Sequence, residues 1–299
     1  MNIQLDYNNI ILQTISPSWL PDNIRASVLR LDLLHPEVSG NKWFKLRYNL
    51  EAAFAQEKTR ILTFGGAFSN HIAATAAACR LAGIACTGVI RGERPVVLSH
   101  TLQEAFAKGM DLHFISREAY RLKNETDWNA LYPDAYVVPE GGNNALGAKG
   151  CEEILSLAHD TTFTHIACAV GTGTTLVGLI NSASRQQEVL GYVVLKGAAY
   201  LEQEIRALLR PASSTAFQPH WQLRHQHHGG GYAKVSPALT TFIRQFYEET
   251  KIPLDIVYTG KLLMGFRQDV LDGIYPAESN VLLIHTGGLQ GNPPADAAT

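Results

Sequence analysis

Lys42 and Lys45 stand three apart in "SGNKWFKLRYNL" (39–50), at the start of a pattern that places Trp43, Leu46, Leu50 and Phe54 on one helical face. Ser39, Gly40 and Asn41 are turn and cap residues, so the helix is expected to begin near Lys42. A solvated lysine gains more at a helix C-terminus, where the dipole favours a cation. At the N-terminus the partial positive charge disfavours ammonium and leaves part of the amine neutral. A neutral lysine amine condenses with an aldehyde to form a Schiff base. A second segment, "AVGTGTTLVGL" (169–179), leaves a strand and enters a helix. Gly171 and Gly173 allow a tight turn, Thr172, Thr174 and Thr175 add hydroxyls, and the helix N-terminus offers N–H groups to a phosphate. No Lys-Ser/Thr pair follows these glycines and Gly178 is misplaced for a dinucleotide fingerprint, so neither of those motifs is present. A phosphate held without a magnesium motif points to a cofactor phosphate; an ordinary glycine turn is the competing reading. In a third segment, "GGAFSNH" (65–71), Ser69, Asn70 and His71 open another helix, where plain capping by Ser69 would explain them if they stood alone.

The elements that position these residues alternate. Strands are expected at 61–67, 84–90, 111–116, 135–142, 164–173, 188–197 and 280–288. Helices are expected at 69–83, 98–110, 145–160, 174–184, 199–209 and 236–251. Apolar strands alternating with helices imply an α/β fold of open, twisted, mostly parallel sheets with helices on both faces. In such folds the ligand loops lie at the carboxyl ends of strands, where "GGAFSNH", "VGTGTT" and "IHTGG" fall. Two lobes are expected, a small one of residues 45–145 and a large one of 1–44 with 146–299, because ligands favour domain interfaces. The tail "GNPPADAAT" is expected to fray.

The chain has 299 residues, 46% hydrophobic and 17% charged, which is ordinary globular composition. A net charge of -2 without a basic cluster argues against a nucleic-acid or membrane-surface partner. "MNIQLDYNNI" has no basic start or apolar run, and Cys79, Cys86, Cys151 and Cys168 form no CxxC pair, so a reduced, cytoplasmic protein is expected. In "RHQHHGG" (224–230) strand alternation would put His225 and His227 on one face, but no third ligand is visible, and a partly exposed strand end is expected rather than a metal site.

Seven segments, in order from 39 to 291, resemble the 1-aminocyclopropane-1-carboxylate (ACC) deaminase/D-cysteine desulfhydrase family, pyridoxal-phosphate (PLP) enzymes of fold type II with a tryptophan-synthase-β-like architecture. "SGNKWFKL" is similar to the family's GGNKxRKL, "GGAFSNH" to GGxQSNQ, "PEGGNNALGAKG" to PEGGSNxLGxxG and "VGTGTT" to its phosphate loop. "GGGYA" resembles a GYG segment, "VYTGKLLMGF" resembles VYTGKxMxGL, and "LLIHTGGLQG" the closing HTGG. The resemblance implies PLP as cofactor, with Lys42 as the Schiff-base lysine and Lys45 near the phosphate. It implies Gly171, Thr172, Gly173, Thr174 and Thr175 as the phosphate cradle, Asn70 on the pyridine 3-hydroxyl and Thr286 beside the pyridine nitrogen. Ser69 is implied as nucleophile or proton relay, Tyr232 and Tyr258 as tyrosines facing the substrate, and Ser69, Asn70, His71 and Tyr258 as substrate contacts.

A small amino acid is the implied substrate and a homodimer the implied assembly. His71 replaces a usual Gln, where it either meets the substrate carboxylate or fills the position, and Trp43 and Phe44 replace small or basic residues. Thr259 follows Tyr258 as in the desulfhydrase-like branch, where ACC deaminases tend to have Glu. The expected reaction is deamination or desulfhydration with release of ammonia and a keto acid. β-Replacement, racemisation, and PLP storage without turnover are the alternatives.

Overall fold

The computed structural model describes residues 3–159, 162–210 and 219–292. β1 (Leu12–Ile15) and β2 (Arg25–Arg30) precede α1 (Asn41–Ala55). Then follow β3 (Arg60–Gly65), α2 (Asn70–Ala82), β4 (Ala85–Arg91), α3 (His100–Ala107), β5 (Met110–Ile115), α4 (Arg117–Arg121), α5 (Trp128–Leu131) and β6 (Ala135–Val137). The chain continues through α6 (Ala145–Cys151), β7 (His165–Val170), α7 (Thr174–Ser182), β8 (Glu188–Val193), α8 (Leu201–Leu208) and β9 (His220–Arg224). It closes with α9 (Pro237–Thr250), α10 (Thr259–Leu271) and β10 (Asn280–His285).

Two sheets form, in the orders β5-β4-β3-β6 and β1-β2-β10-β7-β8-β9, parallel throughout except for the β1–β2 pair. β10 lies between β2 and β7, with Val281 opposite both Ala26 and His165. Its apolar run is buried on both faces: Leu282 and Ile284 join the core shared with α1, α2, α6 and α7, whereas Val281 and Leu283 meet Phe246 of α9 and Phe266 of α10. A third cluster, with Leu62, Phe64, Val89 and Trp128, covers the other face of the smaller sheet. Helices therefore cover both faces, which is why the parallel strands lack polar alternation. α1, α6 and α7 approach so closely that a Cβ on Gly150 would overlap the Phe44 carbonyl, and one on Gly178 would stand 2.6 Å from the Cys151 carbonyl carbon.

Several expected elements change. The helix expected over 145–160 ends at Cys151, because Glu153 and Ile154 donate their N–H groups three residues back, to Gly150 and Cys151, tightening the chain into a turn before a 3-10 segment at Leu155–Ala158. The strand expected over 188–197 stops at Val193. β9 stops at Arg224, so alternation does not reach His225 and His227; His227 Nε2 instead meets Asp269 Oδ1 at 2.8 Å. β1, β2 and α10 were not expected from patterning: the strands are short, and "TGKLLMGF" reads first as a motif. Residues 293–299 of the tail lie outside the described residues. Among the described residues no helix is long and apolar enough to cross a membrane.

Candidate active site

The loops at the carboxyl ends of β3, β4, β6, β7, β8 and β10 line one cleft of about 1430 Å³. It gathers Lys42, Lys45, Ser69, Asn70, His71, Gly171, Thr172, Gly173, Thr175, Tyr232, Tyr258 and Thr286 from segments far apart in the chain. Thr174 is the exception among the expected residues: its buried hydroxyl donates to Asn143 Oδ1 at 2.7 Å and meets Thr172 Oγ1 at 3.1 Å, which braces the glycine loop from behind.

α1 begins at Asn41, and its first residues tie the lysine to the glycine loop. Asn41 Nδ2 donates to Thr175 Oγ1 at 2.8 Å, and its Oδ1 accepts from Lys42 Nζ at 2.7 Å. The Asn41 N–H donates to the Thr286 carbonyl at 3.2 Å, which fixes the β10 loop against the same point. The Lys42 pKa is lowered to about 7; burial is the largest cause, and the nearby Lys45 charge is the next. Desolvation, more than the helix terminus invoked from sequence, frees this amine of its proton. Lys45 is also lowered by burial, so its positive charge is held at a cost that a phosphate dianion would relieve. Lys149 and Lys261 do not line this cleft: Lys149 is exposed over the Tyr48 ring and Lys261 Nζ donates to the Gly231 carbonyl at 2.6 Å.

Gly173 has φ +81° and caps α7 without a side-chain bond, leaving the first N–H groups of that helix for a ligand. Across the cleft Ser69 caps α2, its Oγ accepting from Ile72 N–H at 3.3 Å. Replacing Ser69 with alanine should lower stability by about 0.5–2 kcal/mol. Urea unfolding measures this, and an unchanged midpoint would mean that the hydroxyl contributes no cap.

His71 differs from the carboxylate contact considered from sequence. Thr63 has one hydroxyl proton and donates it to the Val138 carbonyl at 2.9 Å, so His71 Nε2, 2.8 Å from Thr63 Oγ1, must be the donor there. Nδ1 is then a bare lone pair, without a partner among the described residues. Burial, followed by the Lys42 and Lys45 charges, holds the His71 pKa well below its ordinary value. Its side chain therefore offers an acceptor rather than a charge to pair with a carboxylate.

Tyr258 lies with its ring 5.8 Å from Lys42 Nζ and 6.2 Å from the Tyr232 ring. Burial raises both tyrosine pKa values, so each hydroxyl stays protonated as a donor. Asp255, which sequence patterning missed, places Tyr258. Its carboxylate accepts from the N–H groups of Val257 and Tyr258 at 2.9 Å and of Thr259 at 2.7 Å. In the sequence Asp255 reads only as a turn residue ahead of "VYTGK". Thr259 is fully buried and bonds Asp255 through its hydroxyl at 2.7 Å, so it faces the cap and not the cleft.

The residues fit a phosphorylated pyridine aldehyde. The α7 terminus and Lys45 suit the phosphate, and the low-pKa Lys42 amine suits the aldehyde. Asn70 Oδ1 and His71 Nδ1 are buried polar atoms without a protein partner, as expected where a ligand completes the hydrogen bonding.

Comparison with known proteins agrees. Residues 22–287 match the family model described as pyridoxal-phosphate dependent enzyme. A putative ACC deaminase of Thermotoga maritima is 31% identical over 282 residues, covering 88% of this chain and 88% of its own. The bifunctional D-cysteine desulfhydrase/ACC deaminase of Arabidopsis thaliana is 29% identical over 298 residues, covering 91% of this chain and 74% of its own. The crystal structure of an ACC deaminase homologue superposes with a TM-score of 0.77 at 24% identity, covering 95% of this chain and 90% of that one. With a family model matched over most of its length and a cleft that fits the cofactor, this chain belongs to the pyridoxal-phosphate dependent enzymes.

Proposed function

We infer that the protein is a PLP-dependent deaminase or desulfhydrase of a small amino acid, releasing ammonia and a keto acid. The observation that carries this reading is the partly neutral Lys42 amine, opening into a cleft shared by the uncapped α7 terminus and the start of α2. Its relatives named for D-cysteine and ACC support the substrate class.

Bound PLP supplies an electron sink that stabilises negative charge developing at the amino acid Cα. The chain's residues do the rest. Lys45, Thr172, Thr175 and the α7 N–H groups would hold the phosphate, Asn70 the ring hydroxyl and Thr286 the ring nitrogen. Thr286 is a neutral hydroxyl, so a ring held beside it would be less protonated than beside a carboxylate, which would narrow the chemistry. The N–H groups at the start of α2, with the Ser69 hydroxyl, hold the substrate carboxylate. The neutral fraction of Lys42 takes the Cα proton, and Tyr258 and Tyr232 present hydroxyl protons to the leaving side.

D-Cysteine is favoured over ACC. D-Cysteine has a Cα proton to remove, whereas ACC has none and needs an additional nucleophile or base to open its ring. Thr259 contributes none, because its hydroxyl belongs to the Asp255 cap. The same reading takes the chain as a cytoplasmic homodimer, with a small lobe of residues 45–145 and a large lobe of 1–44 and 146–299. The separate smaller sheet supports that division, although the 44/45 boundary falls inside α1.

The test is a screen of both enantiomers of small amino acids, together with ACC, for ammonia and keto acid. Pyruvate from D-cysteine with nothing from ACC is the expected result; no keto acid from any of them ends the reading. In the active enzyme Tyr258→Phe should lower turnover by about 10²-fold or more. Unchanged turnover on every accepted substrate would leave Tyr258 as packing alone.

A further inference from the structure

The cleft contains cations to which the reaction above gives no task. β4 ends on Arg91, Arg117 follows β5, and both side chains line the cleft that holds Lys42. Arg91 Nη2 lies 3.9 Å from the place a Cβ would occupy on Gly66, whose carbonyl accepts the Ser69 N–H at 3.1 Å. The guanidinium therefore abuts the loop that leads into α2. Its charge also bears on the Tyr232 and Tyr120 hydroxyls. Among the described residues, neither Arg91 nor Arg117 has a carboxylate partner. Lys123, the third cation of this rim, is already paired with Glu140 at 3.3 Å. An unpaired guanidinium in a concave site is a fork-shaped receptor for an oxyanion.

The sheet order sets the spacing. β3, β4 and β5 are consecutive neighbours, and adjacent strands lie about 4.8 Å apart. The start of α2 follows β3, Arg91 ends β4 and Arg117 follows β5. The two acidic groups of an amino acid with an acidic side chain stand roughly 4–5 Å apart, from ordinary bond lengths, and the Arg91 guanidinium beside the Gly66–Ser69 loop is near enough to the α2 start to serve the second of them. The α-carboxylate already has the α2 N–H groups, so the next position outward is available for a second anion.

We propose that Arg91, supported by Arg117, forms a subsite for an oxyanion on the side chain of the amino-acid substrate. The proposal rests on the cleft being an amino-acid site, as inferred above, and names the kind of side chain it prefers. A neutral side chain, that of D-cysteine included, would be accepted without help from either guanidinium and so would bind more weakly than an anionic one.

The experiment titrates the holoenzyme with both enantiomers of aspartate, O-phosphoserine, alanine and serine, following the absorbance of the bound cofactor. The wild-type protein should bind an anionic member at least about 10-fold more tightly than the neutral ones. Arg91→Ala should weaken the anionic members by about 10–100-fold, the loss expected for a charge-assisted bond, and the neutral members by less than about 3-fold. Arg91→Lys should fall between, because it keeps the charge and loses the fork. Aspartate against O-phosphoserine separates a carboxylate from a phosphate source. Equal losses for anionic and neutral members would assign Arg91 to the α-carboxylate and overturn the proposal, as would a wild-type protein without preference. Arg117→Ala, expected to show a smaller loss in the same direction, keeps the proposal testable should the Arg91 variants not fold. Binding is read without turnover, so absence of keto acid would sink the proposed reaction while leaving this result standing.

Discussion

Lys42→Met should lose covalent attachment of PLP and reduce turnover by at least about 10⁴-fold, since the amine proposed to hold the cofactor and the base proposed to move the proton are one group. Borohydride reduction followed by peptide mapping checks the attachment: label on Lys42 in the wild-type protein and none in the variant is the expected result, and label on Lys149 or Lys261 would move the assignment. The pH dependence is part of the same prediction. With its pKa lowered to about 7, half of the Lys42 amine is neutral there, against about one part in three thousand for an ordinary lysine. Attachment should accelerate as pH rises through 7 and level off above it, rather than climbing towards 10. The sign for stability is the reverse of a salt-bridged lysine's. Between pH 7 and 10.5 the unfolded chain binds a proton that the fold rejects, so the cofactor-free wild-type protein gains stability with rising pH across that window. Methionine removes this slope while keeping most of the apolar stem. The cofactor-free variant should therefore be the more stable near pH 7, by on the order of 4 kcal/mol, with the difference closing towards pH 10.5. A variant less stable at every pH would show that the buried amine is not held at a cost.

How far these features were legible beforehand depends on whether the signal is local. The α2 segment carries its own punctuation, Ser69 as cap and Gly83 in the left-handed conformation as stop, and the structure begins and ends the helix there. Lys42 and Lys45 stand out because a cation at a helix start runs against the local electrostatics, and a conflict of that kind marks a site. Asp255 carries no such conflict. It looks like a surface turn residue, and only the fold shows that its carboxylate collects three backbone N–H groups beneath Tyr258. The His71 tautomer was equally hidden, since it is set by Thr63 and Val138 on neighbouring strands. The end of α6 at Cys151 was missed because its periodicity continues while hydrogen bonding changes from four residues to three. Arg91 carries no local signal in the sequence; only the sheet order, which sets β4 beside β3, brings it near the loop that leads to Ser69.

Gly40→Ala should be among the most damaging single-methyl changes in the chain, and Gly83→Ala supplies its control. Both glycines have φ +66°, but only Gly83, with ψ 30°, lies in the left-handed helical region, where alanine meets a penalty of about 1–2 kcal/mol. At Gly83 nothing lies within 4 Å of the added methyl, and the penalty is the whole effect. At Gly40, ψ −151° places the backbone in a region that is essentially glycine's alone. The methyl would also overlap the Thr286 carbonyl oxygen and stand 2.7 Å from Gly287 N. These obstacles are backbone, tied on one side by Asn41 N–H to the Thr286 carbonyl at 3.2 Å and on the other by Gly40 N–H to the Leu31 carbonyl at 3.1 Å. No rotamer change relieves the overlap; the start of α1 has to move away from the β10 loop. That movement carries Lys42 away from Thr286, and a displacement of about 1 Å at a reacting group can cost about 10²-fold in rate. The expected result is a loss of at least about 3 kcal/mol for Gly40→Ala against about 1–2 kcal/mol for Gly83→Ala in urea unfolding. PLP retention should fall in the first variant and stay at the wild-type level in the second. Equal losses in the two proteins would mean that the β10 loop yields freely, and that the junction of Gly40 with Thr286 does not position the lysine.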